Sequence, residues 1–554
     1  MRVLLINPFY PISETPSPPL GLAYLAAVLE EAGVEVRVLD LVVYPYSEAL
    51  LIDQLDDFRP DLVGLTAVTM TVDHALSIVR AAKRIAPEAM TVMGGPHITF
   101  TARETLETCP ELDLIVLGEG EQTIVALSRA ISGKEDLASV RGIAYRVGSQ
   151  VHFTPRRGFI RDLDRLPMPA RHLLPLGRYR ALGMPISMTT SRGCPHACIF
   201  CVGRKMVGAR VRFRSPGLVV DELAYLASLG FHQINLADDL FTADRGRCMA
   251  VCDEILRRGL RIQWTSFARV DTVSEELLRR MKEAGCTAVS FGIESGNPRI
   301  LKTIRKQITL EQVVAAVGMC ARAGVTALAS FILGLPGETP DTLHETLEFG
   351  KRLQEHGLIY GFHLLAPFPG TEVRERSGEL GLHILSNDWS QYHANRAVAE
   401  TPSVTRGMLD AIAVEWEERF DRYLGEIKAR MQTGKASADE AHQVTNLERI
   451  VLVYDLMMKS TIEQVGSWPE GNQISADSAL DILIQRVEAA TGLGIIKIRK
   501  ALQAAARQEN LICEHQNEMI RWRWRDRLSV NSGSPPACSS PAGSARRVGR
   551  CGSG

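Results

Sequence analysis

Cys194, Cys198 and Cys201 fall within eight residues of the stretch TTSRGCPHACIFCVGR, in the pattern Cys-x3-Cys-x2-Cys. Three thiolates this close can each take one iron of a four-iron cluster. Iron–sulfur sites usually use four cysteines, so three with no obvious fourth leave one iron open to a ligand from outside the chain. The alternative is a zinc site completed by a distant fourth ligand. Scattered buried cysteines are ordinary packing residues, and Cys248, Cys252, Cys286 and Cys320 read that way. Phe200, just before the last cysteine of the set, suits packing beside a cluster or a planar ring. Arg192 can donate to sulfide, and His196 reads as an ordinary loop residue.

A loop of this kind needs a scaffold. Residues 1–145 alternate short apolar runs (Val3–Asn7, Val34–Leu39, Leu62–Thr66, Thr91–Gly94, Leu114–Leu117) with helical patterns (Leu20–Ala32, Ser47–Asp57, Asp73–Ile85, Glu121–Ile131). Such alternation predicts a parallel sheet covered on both faces, with ligands beyond the carboxyl ends of the strands. The turns expected there are Asn7-Pro8, Thr66-Ala67-Val68-Thr69, Gly94-Gly95-Pro96-His97 and Gly118-Glu119-Gly120-Glu121. Glycines in such turns let backbone approach a bulky ligand. His97 fits a turn-stabilising or a ligand-contact role, and His74 a helix-start surface residue.

Residues 146–180 read as a connector that begins with a hairpin turn at Gly148-Ser149. Alternation then resumes, with strands at Ile186–Thr190, Gln233–Ala237, Ile262–Phe267, Ala288–Ile293, Thr326–Leu333 and Gly361–Leu365. Helices fit between them at Gly217–Leu229, Asp244–Arg258, Ser274–Ala284, Leu310–Ala323 and Asp341–Glu355. Six strands with intervening helices predict a second parallel α/β unit, in which ligands sit at carboxyl strand ends. The cysteine loop follows the first of these strands.

The cysteine loop, with Gly193-Cys194-Pro195 at its entry and Phe200 inside it, resembles that of the radical S-adenosylmethionine (SAM) superfamily. PPLGLAYLA (Pro18–Ala26), Asp61–Thr71, GGPH (Gly94–His97) and GEGE (Gly118–Glu121) resemble the cobalamin-binding domain that precedes many radical SAM cores. The resemblance implies an α/β protein: a Rossmann-like (flavodoxin-like) cobalamin-binding domain over 1–145, a partial (β/α)6 radical SAM barrel over 181–400, and a mainly helical C-terminal region. It implies a [4Fe-4S] cluster on Cys194, Cys198 and Cys201, with SAM on the open iron. It also implies cobalamin contacts at Asn7, Pro8, Thr66, Ala67, Val68, Thr69, Gly94, Gly95, Pro96, His97, Gly118 and Glu119. The Asp-x-His-x-x-Gly motif of many cobalamin domains is missing, so a histidine-ligated cobalt is not expected.

The resemblance also implies SAM contacts at Phe200, Asp238, Asp239, Ser266, Arg269, Glu294 and Gly334. One of Asp238 and Asp239 is expected to accept from the SAM amino group and the other to cap a helix. The fork of Arg269 suits a carboxylate or a salt bridge. Glu294 suits a ribose. GLPGET (Gly334–Thr339) would offer backbone near an adenine, and APFPGT (Ala366–Thr371) ends the last strand.

Residues 401–466 read as a helical extension, with helices at Gly407–Met431 and Asn446–Val465. Residues 467–528 read as a winged-helix-like module: helices Ser475–Ala490 and Ile495–Gln508, then a hairpin of Leu511–Glu514 and Met519–Trp522. Arg521, Arg523, Arg525 and Arg527 alternate with Trp522 and Trp524, which suits nucleic acid or a peptide partner; the preferred reading is a strand with one packed aromatic face and solvated arginines. Residues 529–554 carry the composition of a disordered tail.

The 554 residues have a net charge of −1, with 45% hydrophobic and 23% charged residues. This is a soluble, globular composition with no global field for nucleic acid or anionic membrane. No apolar run is long enough to span a bilayer. With no secretory signal and eleven cysteines spread along the chain, a cytoplasmic protein with reduced thiols is expected. The function expected is methylation of an unactivated carbon by a 5′-deoxyadenosyl radical and methylcobalamin. The alternative is an oxidative cyclase resembling the anaerobic magnesium-protoporphyrin monomethyl ester cyclase, and a distant one is a cobalamin- or redox-sensing regulator. Expected partners are a small-molecule or lipid-like substrate and an electron donor such as flavodoxin or ferredoxin.

Overall fold

A computed structural model describes residues 1–9, 16–133, 135–393, 395–469, 476–516 and 518–528. The tail at 529–554 lies outside the described residues. The first sheet contains β1 (Arg2–Asn7), β2 (Glu35–Asp40), β3 (Leu62–Thr66), β4 (Met90–Gly94), β5 (Leu114–Val116), β6 (Ile143–Val147) and β7 (Gln150–Phe153), in the order β2-β1-β3-β4-β5-β6-β7. β1 to β5 run parallel. Their Val, Leu and Ile residues are buried because helices α1 (Leu20–Glu31), α2 (Glu48–Phe58), α3 (Val72–Ile85), α4 (Pro96–Thr108) and α5 (Glu121–Ile131) cover both faces. Strand order reverses between β1 and β3, the point where such sheets bind ligands. The turns after Asn7 and Thr66 therefore border the crevice.

Two expectations change here. The hairpin β6–β7 is part of the first sheet, pairing antiparallel onto β5, so a boundary at residue 145 would cut β6. Buried Ile143 and Ala144 need the partner that β5 provides. Helix α4 was not anticipated, because its Gly-Pro start and threonines carry weak helical propensity. Pro96 stands in its first turn, where a missing N–H is harmless.

The second sheet is all parallel: β8 (Ile186–Met188), β11 (Gln233–Leu236), β12 (Gln263–Ala268), β13 (Cys286–Glu294), β14 (Thr326–Leu333) and β15 (Ile359–Leu364), with β8 and β15 as edges. Helix α6 (Leu176–Leu182) precedes β8. The short ribbon of β9 (Ser191–Arg192) and β10 (Arg212–Phe213) and helix α7 (Gly203–Val207) frame the cysteine loop. Helices α8 (Pro216–Ser228), α9 (Arg245–Arg257), α10 (Glu275–Glu283), α11 (Pro298–Thr303), α12 (Leu310–Ala323) and α13 (Pro340–Glu355) follow the strands. Side chains of Asp244, Ser274, Asn297, Thr309 and Thr339 accept from the first turns of α9 to α13, the usual N-cap device. The cap of α9 is Asp244, so neither Asp238 nor Asp239 fills that expected role. Cys248, Cys252, Cys286 and Cys320 are buried in the barrel core.

Beyond the barrel come α14 (Glu372–Glu375), the ribbon β16 (His383–Ile384) and β17 (Ala399–Glu400), α15 (Arg406–Gln432), α16 (Ala438–Met458) and α17 (Thr461–Val465). α16 begins before the expected Asn446 because Ser437 and Glu440 form a capping box. It stops before the expected Val465, where Ser460 takes a φ of +49° and starts α17. The last module is β18 (Ser467–Pro469), α18 (Ala476–Thr491), α19 (Ile495–Arg507), β19 (Leu511–Gln516) and β20 (Met519–Trp524), with sheet order β18-β20-β19. Trp522 and Trp524 are buried, while Arg523 pairs with Glu514 and Arg525 donates to the Glu509 carbonyl. Tyr179 and Leu182 of α6 belong to this module's core, so the end of the connector is structurally part of it. Among the described residues no helix is long and apolar enough to cross a membrane.

Candidate active site

The cysteine loop is clamped before its first thiol. Asp238, buried at the end of β11, accepts from the Thr190 backbone N–H and hydroxyl, both at 2.5 Å, and from the Ser191 hydroxyl at 2.6 Å. Asp239 accepts from the Gly193 N–H at 3.0 Å. Gly193 has a φ of +112°, and a Cβ there would lie 2.4 Å from the Arg210 carbonyl oxygen. Only glycine suits both the conformation and the space. Farther along, the Ile199 N–H donates to the Ile304 carbonyl at 3.2 Å and the Val373 N–H to the Ile199 carbonyl at 3.1 Å.

The three thiols share this rim. Burial pushes the Cys198 thiol up, against the lowering effect of nearby Lys306. Burial raises Cys201 as well, against the Gly203 N–H that donates to its Sγ at 3.3 Å. An amide aimed at the Cys201 sulfur fits a thiolate that ligates iron. Among the described residues no three His, Cys, Asp or Glu side chains converge as they would on one ion. In a four-iron cluster each cysteine would take a separate iron, so three thiols need not converge on one ion.

The residues expected to hold SAM divide into two groups. Asp239 lines the cleft beside the loop. The Ser266 hydroxyl is buried and has no protein partner. Glu294 ends β13 with a φ of +71° and pairs with Lys306 at 2.8 Å, and the Lys306 ammonium lies 6.0 Å from the ring centre of Phe200. These groups face the barrel mouth. Three others are already engaged. Asp238 has both oxygens occupied by Thr190 and Ser191, so it braces the loop and is not free for an ammonium. The fork of Arg269 is filled by Asp271, with two contacts at 2.9 Å. The Gly334 N–H is taken by Glu338 at 2.7 Å.

Glu338 was missed by sequence reading. It is buried, its second oxygen has no partner, and burial pushes its carboxyl up to about 8. A polar residue inside the otherwise turn-like GLPGET was the available signal. Buried polar atoms are normally satisfied, so Ser266 and Glu338 mark a place for a polar ligand.

Above the first sheet a cleft of about 370 Å³ runs up to the cysteine loop. Its floor is apolar, with Leu5, Leu22, Leu25 and Ile124 between the sheet and helices α1 and α5. Its rim is the turns Thr66, Gly94-Gly95-Pro96 and Gly118-Glu119, and its far wall is Ser191, Arg192 and Asp239. Gly95 has a φ of +104°, and a Cβ there would lie 2.7 Å from the Ala67 carbonyl oxygen. An apolar slot below a wide polar rim fits a bulky ligand such as cobalamin. A neighbouring cavity of about 270 Å³ is lined by Val68, Thr69, Met70, His97, Val202 and Phe368.

The remaining expected contacts are also located. Asn7 donates to Asp40 at 2.8 Å, and Pro8 follows it, buried. The Ala67 N–H donates to the Gly94 carbonyl at 2.9 Å, and the Gly118 N–H to the Thr99 hydroxyl at 3.1 Å. His97 is buried, its Nδ1 is 3.1 Å from the Thr69 hydroxyl, and its ring stands edge-on to Trp389 at 4.9 Å. Burial, with Arg374 nearby, lowers it to about 4, so it is a neutral turn brace. His74 is exposed on α3.

Glu119 departs from expectation. Its carboxylate accepts from Arg212 at 2.8 and 3.0 Å and from the Ile160 N–H at 2.7 Å. Arg192 bridges Glu119 at 3.4 Å and Glu121 at 2.6 Å, and lies 5.2 Å from the ring centre of Tyr24. The GEGE turn therefore joins the first domain to the cysteine loop.

Residues 13–128 match the B12 binding domain family, and residues 188–350 match the radical SAM superfamily. An uncharacterized methyltransferase of Pyrococcus horikoshii is 37% identical over 400 residues, covering 71% of this chain and 86% of that protein. The chain belongs to the cobalamin-binding radical SAM family. As a radical SAM enzyme of this family, its cofactors are a [4Fe-4S] cluster, SAM and cobalamin. The anaerobic magnesium-protoporphyrin IX monomethyl ester cyclase of Rubrivivax gelatinosus is 31% identical over 438 residues, covering 76% of this chain and 77% of that one. The fold is shared with the solved cobalamin-dependent SAM radical enzyme OxsB, with a TM-score of 0.67 and 19% identity over 92% of this chain and 84% of OxsB.

Proposed function

We propose that this radical SAM enzyme methylates an unactivated carbon of a small-molecule or lipid-like substrate, with Cys194, Cys198 and Cys201 as the cluster ligands. The observation that carries the reading is the single cleft bordered by both the turns of the first domain and the cysteine loop. Bound there, the cluster supplies an electron for SAM cleavage and cobalamin supplies a methyl group. The chain's own part is position and exclusion. Asp238 and Asp239 hold the loop, Ser266 and Glu338 offer polar atoms to SAM, and the apolar floor keeps water away from one side of the cobalamin. The uncharacterized methyltransferase of P. horikoshii, at 37% identity against 31% for the Rubrivivax cyclase, supports methyl transfer over cyclisation.

The test uses anaerobically reconstituted enzyme, reductant, and SAM carrying a deuterated methyl group, incubated with a cell extract. Methyl transfer predicts 5′-deoxyadenosine, S-adenosylhomocysteine and a deuterium-labelled product. A cyclase would give 5′-deoxyadenosine and an oxidised product without label, which would overturn the methylation reading.

A further inference from the structure

The cysteine loop has an outer edge as well as a cavity side. Helix α11 and its following turn, PRILKTIRKQ at 298–307, carry Arg299, Lys302, Arg305 and Lys306 and no acidic residue. This segment touches the loop directly: Ile199 donates to Ile304, and the Cys198 Sγ lies 3.8 Å from the Arg305 carbonyl oxygen. Lys306 faces inward to Glu294, and Arg305 is neutralised by Glu372. Arg299 and Lys302 are exposed and have no carboxylate partner among the described residues. Across the loop, exposed Arg204 donates to the Pro195 carbonyl at 3.1 Å and likewise has no acid partner among the described residues. Pro195 and Ala197 of the loop are themselves exposed. The chain as a whole has a net charge of only −1, so this basic character is local to the segments that touch the cysteine loop.

We propose that the face formed by Arg204, Arg299 and Lys302 around Pro195–Ala197 docks an acidic one-electron carrier protein. The proposal rests on the radical SAM reading, which requires an electron from outside the chain. The carrier loses one electron and the site gains one; no bond or proton moves in the step. Docking here brings the carrier over the contact between the Cys198 Sγ and the Arg305 carbonyl oxygen. Charge complementarity selects the partner: opposite charges steer encounter and are screened by salt. The cleft bordered by Ser191 and Arg192 is left to cobalamin.

The experiment compares the reconstituted holoenzyme with its Arg299→Glu/Lys302→Glu variant, neither residue belonging to the site described above. Cluster bleaching is followed by anaerobic stopped flow with photoreduced flavodoxin, an acidic carrier, and separately with reduced methyl viologen, a small cation. With flavodoxin at low salt the variant should be slowed about tenfold or more, as rim charges act mainly on association. Added salt should slow the wild type and leave the variant nearly unchanged. With methyl viologen the variant should match or exceed the wild type. The neutral pair Arg299→Gln/Lys302→Gln should fall between, guarding against a folding defect in the reversed pair. Equal flavodoxin rates, or parallel losses with both reductants, would overturn the docking face. If wild type reduced by methyl viologen makes no 5′-deoxyadenosine, the radical reading itself fails, a result separate from either.

Discussion

Replacing Glu121 by glutamine keeps the shape of the side chain and removes its charge. Glu121 is 7% exposed and Arg192 15%, with 2.6 Å between them. Removing one partner of a buried pair costs about 3–5 kcal/mol. Arg192 keeps Glu119 at 3.4 Å and the Tyr24 ring at 5.2 Å, and glutamine retains a hydrogen bond to it of about 1 kcal/mol. The expected net loss is therefore about 2 kcal/mol. For a domain of this size each kcal/mol lowers the Tm by about 2–4 °C, so the first transition should fall by about 4–8 °C. The pair also sets the GEGE turn against the loop that carries Cys194. The ratio of S-adenosylhomocysteine to 5′-deoxyadenosine should consequently drop more than 5′-deoxyadenosine formation itself. Anaerobic thermal unfolding and product analysis of the same preparation measure both. A Tm within 1 °C of wild type (about 0.5 kcal/mol or less) together with an unchanged product ratio would refute the positioning role of this pair.

Gly95→Ala should weaken cobalamin retention sharply: the new Cβ meets the Ala67 carbonyl at 2.7 Å in a left-handed conformation, a strain of about 1–3 kcal/mol before any clash, measurable by bound-cobalamin absorbance after gel filtration. Asp40, buried beneath Tyr179 and Asn7, has a carboxyl raised by burial to about 6 from 3.8. The folded state then holds its proton more tightly than the unfolded state, so this contribution to stability is fully present below pH 3.8 and is lost as pH rises through about 6. Asp40→Asn should flatten that part of a denaturant-midpoint profile, and an unchanged slope would contradict it. Glu338, raised to about 8 by burial, should be protonated at pH 7 and able to donate. SAM affinity should decline above pH 8, and in Glu338→Gln it should stay level; a parallel decline in both would remove Glu338 from the site.

Much of this architecture was legible because its signals are local. The cysteine spacing, the strand-end turns and the alternation of apolar runs all lie within short windows. What escaped depends on partners distant in sequence. Asp238 looked like a SAM acceptor, but Thr190 and Ser191, forty-eight and forty-seven positions away, occupy its oxygens. Glu119 stands on the rim of the cleft as expected, but Arg212, ninety-three positions away, also holds its carboxylate. For Arg269 the two expected roles were a ligand carboxylate or a salt bridge, and Asp271 supplies the salt bridge. Helix α4 and strand β18 were missed for the opposite reason: Gly-Pro and threonines in one, and a three-residue strand ending in proline in the other, have poor intrinsic propensity and are held by tertiary packing.

The central claim is that cobalamin and the iron–sulfur cluster share one mouth, the cleft between the first sheet and the cysteine loop. Electron paramagnetic resonance of bound cob(II)alamin tests it most directly, because a reduced cluster nearby speeds the relaxation of that signal. The measurement compares reduced, reconstituted wild type with Cys198→Ala, in which the cluster should be lost and cobalamin retained. Markedly faster relaxation in wild type, at equal cobalamin content, is the predicted result. Identical relaxation in the two proteins, with the cluster shown present in wild type, would contradict the account.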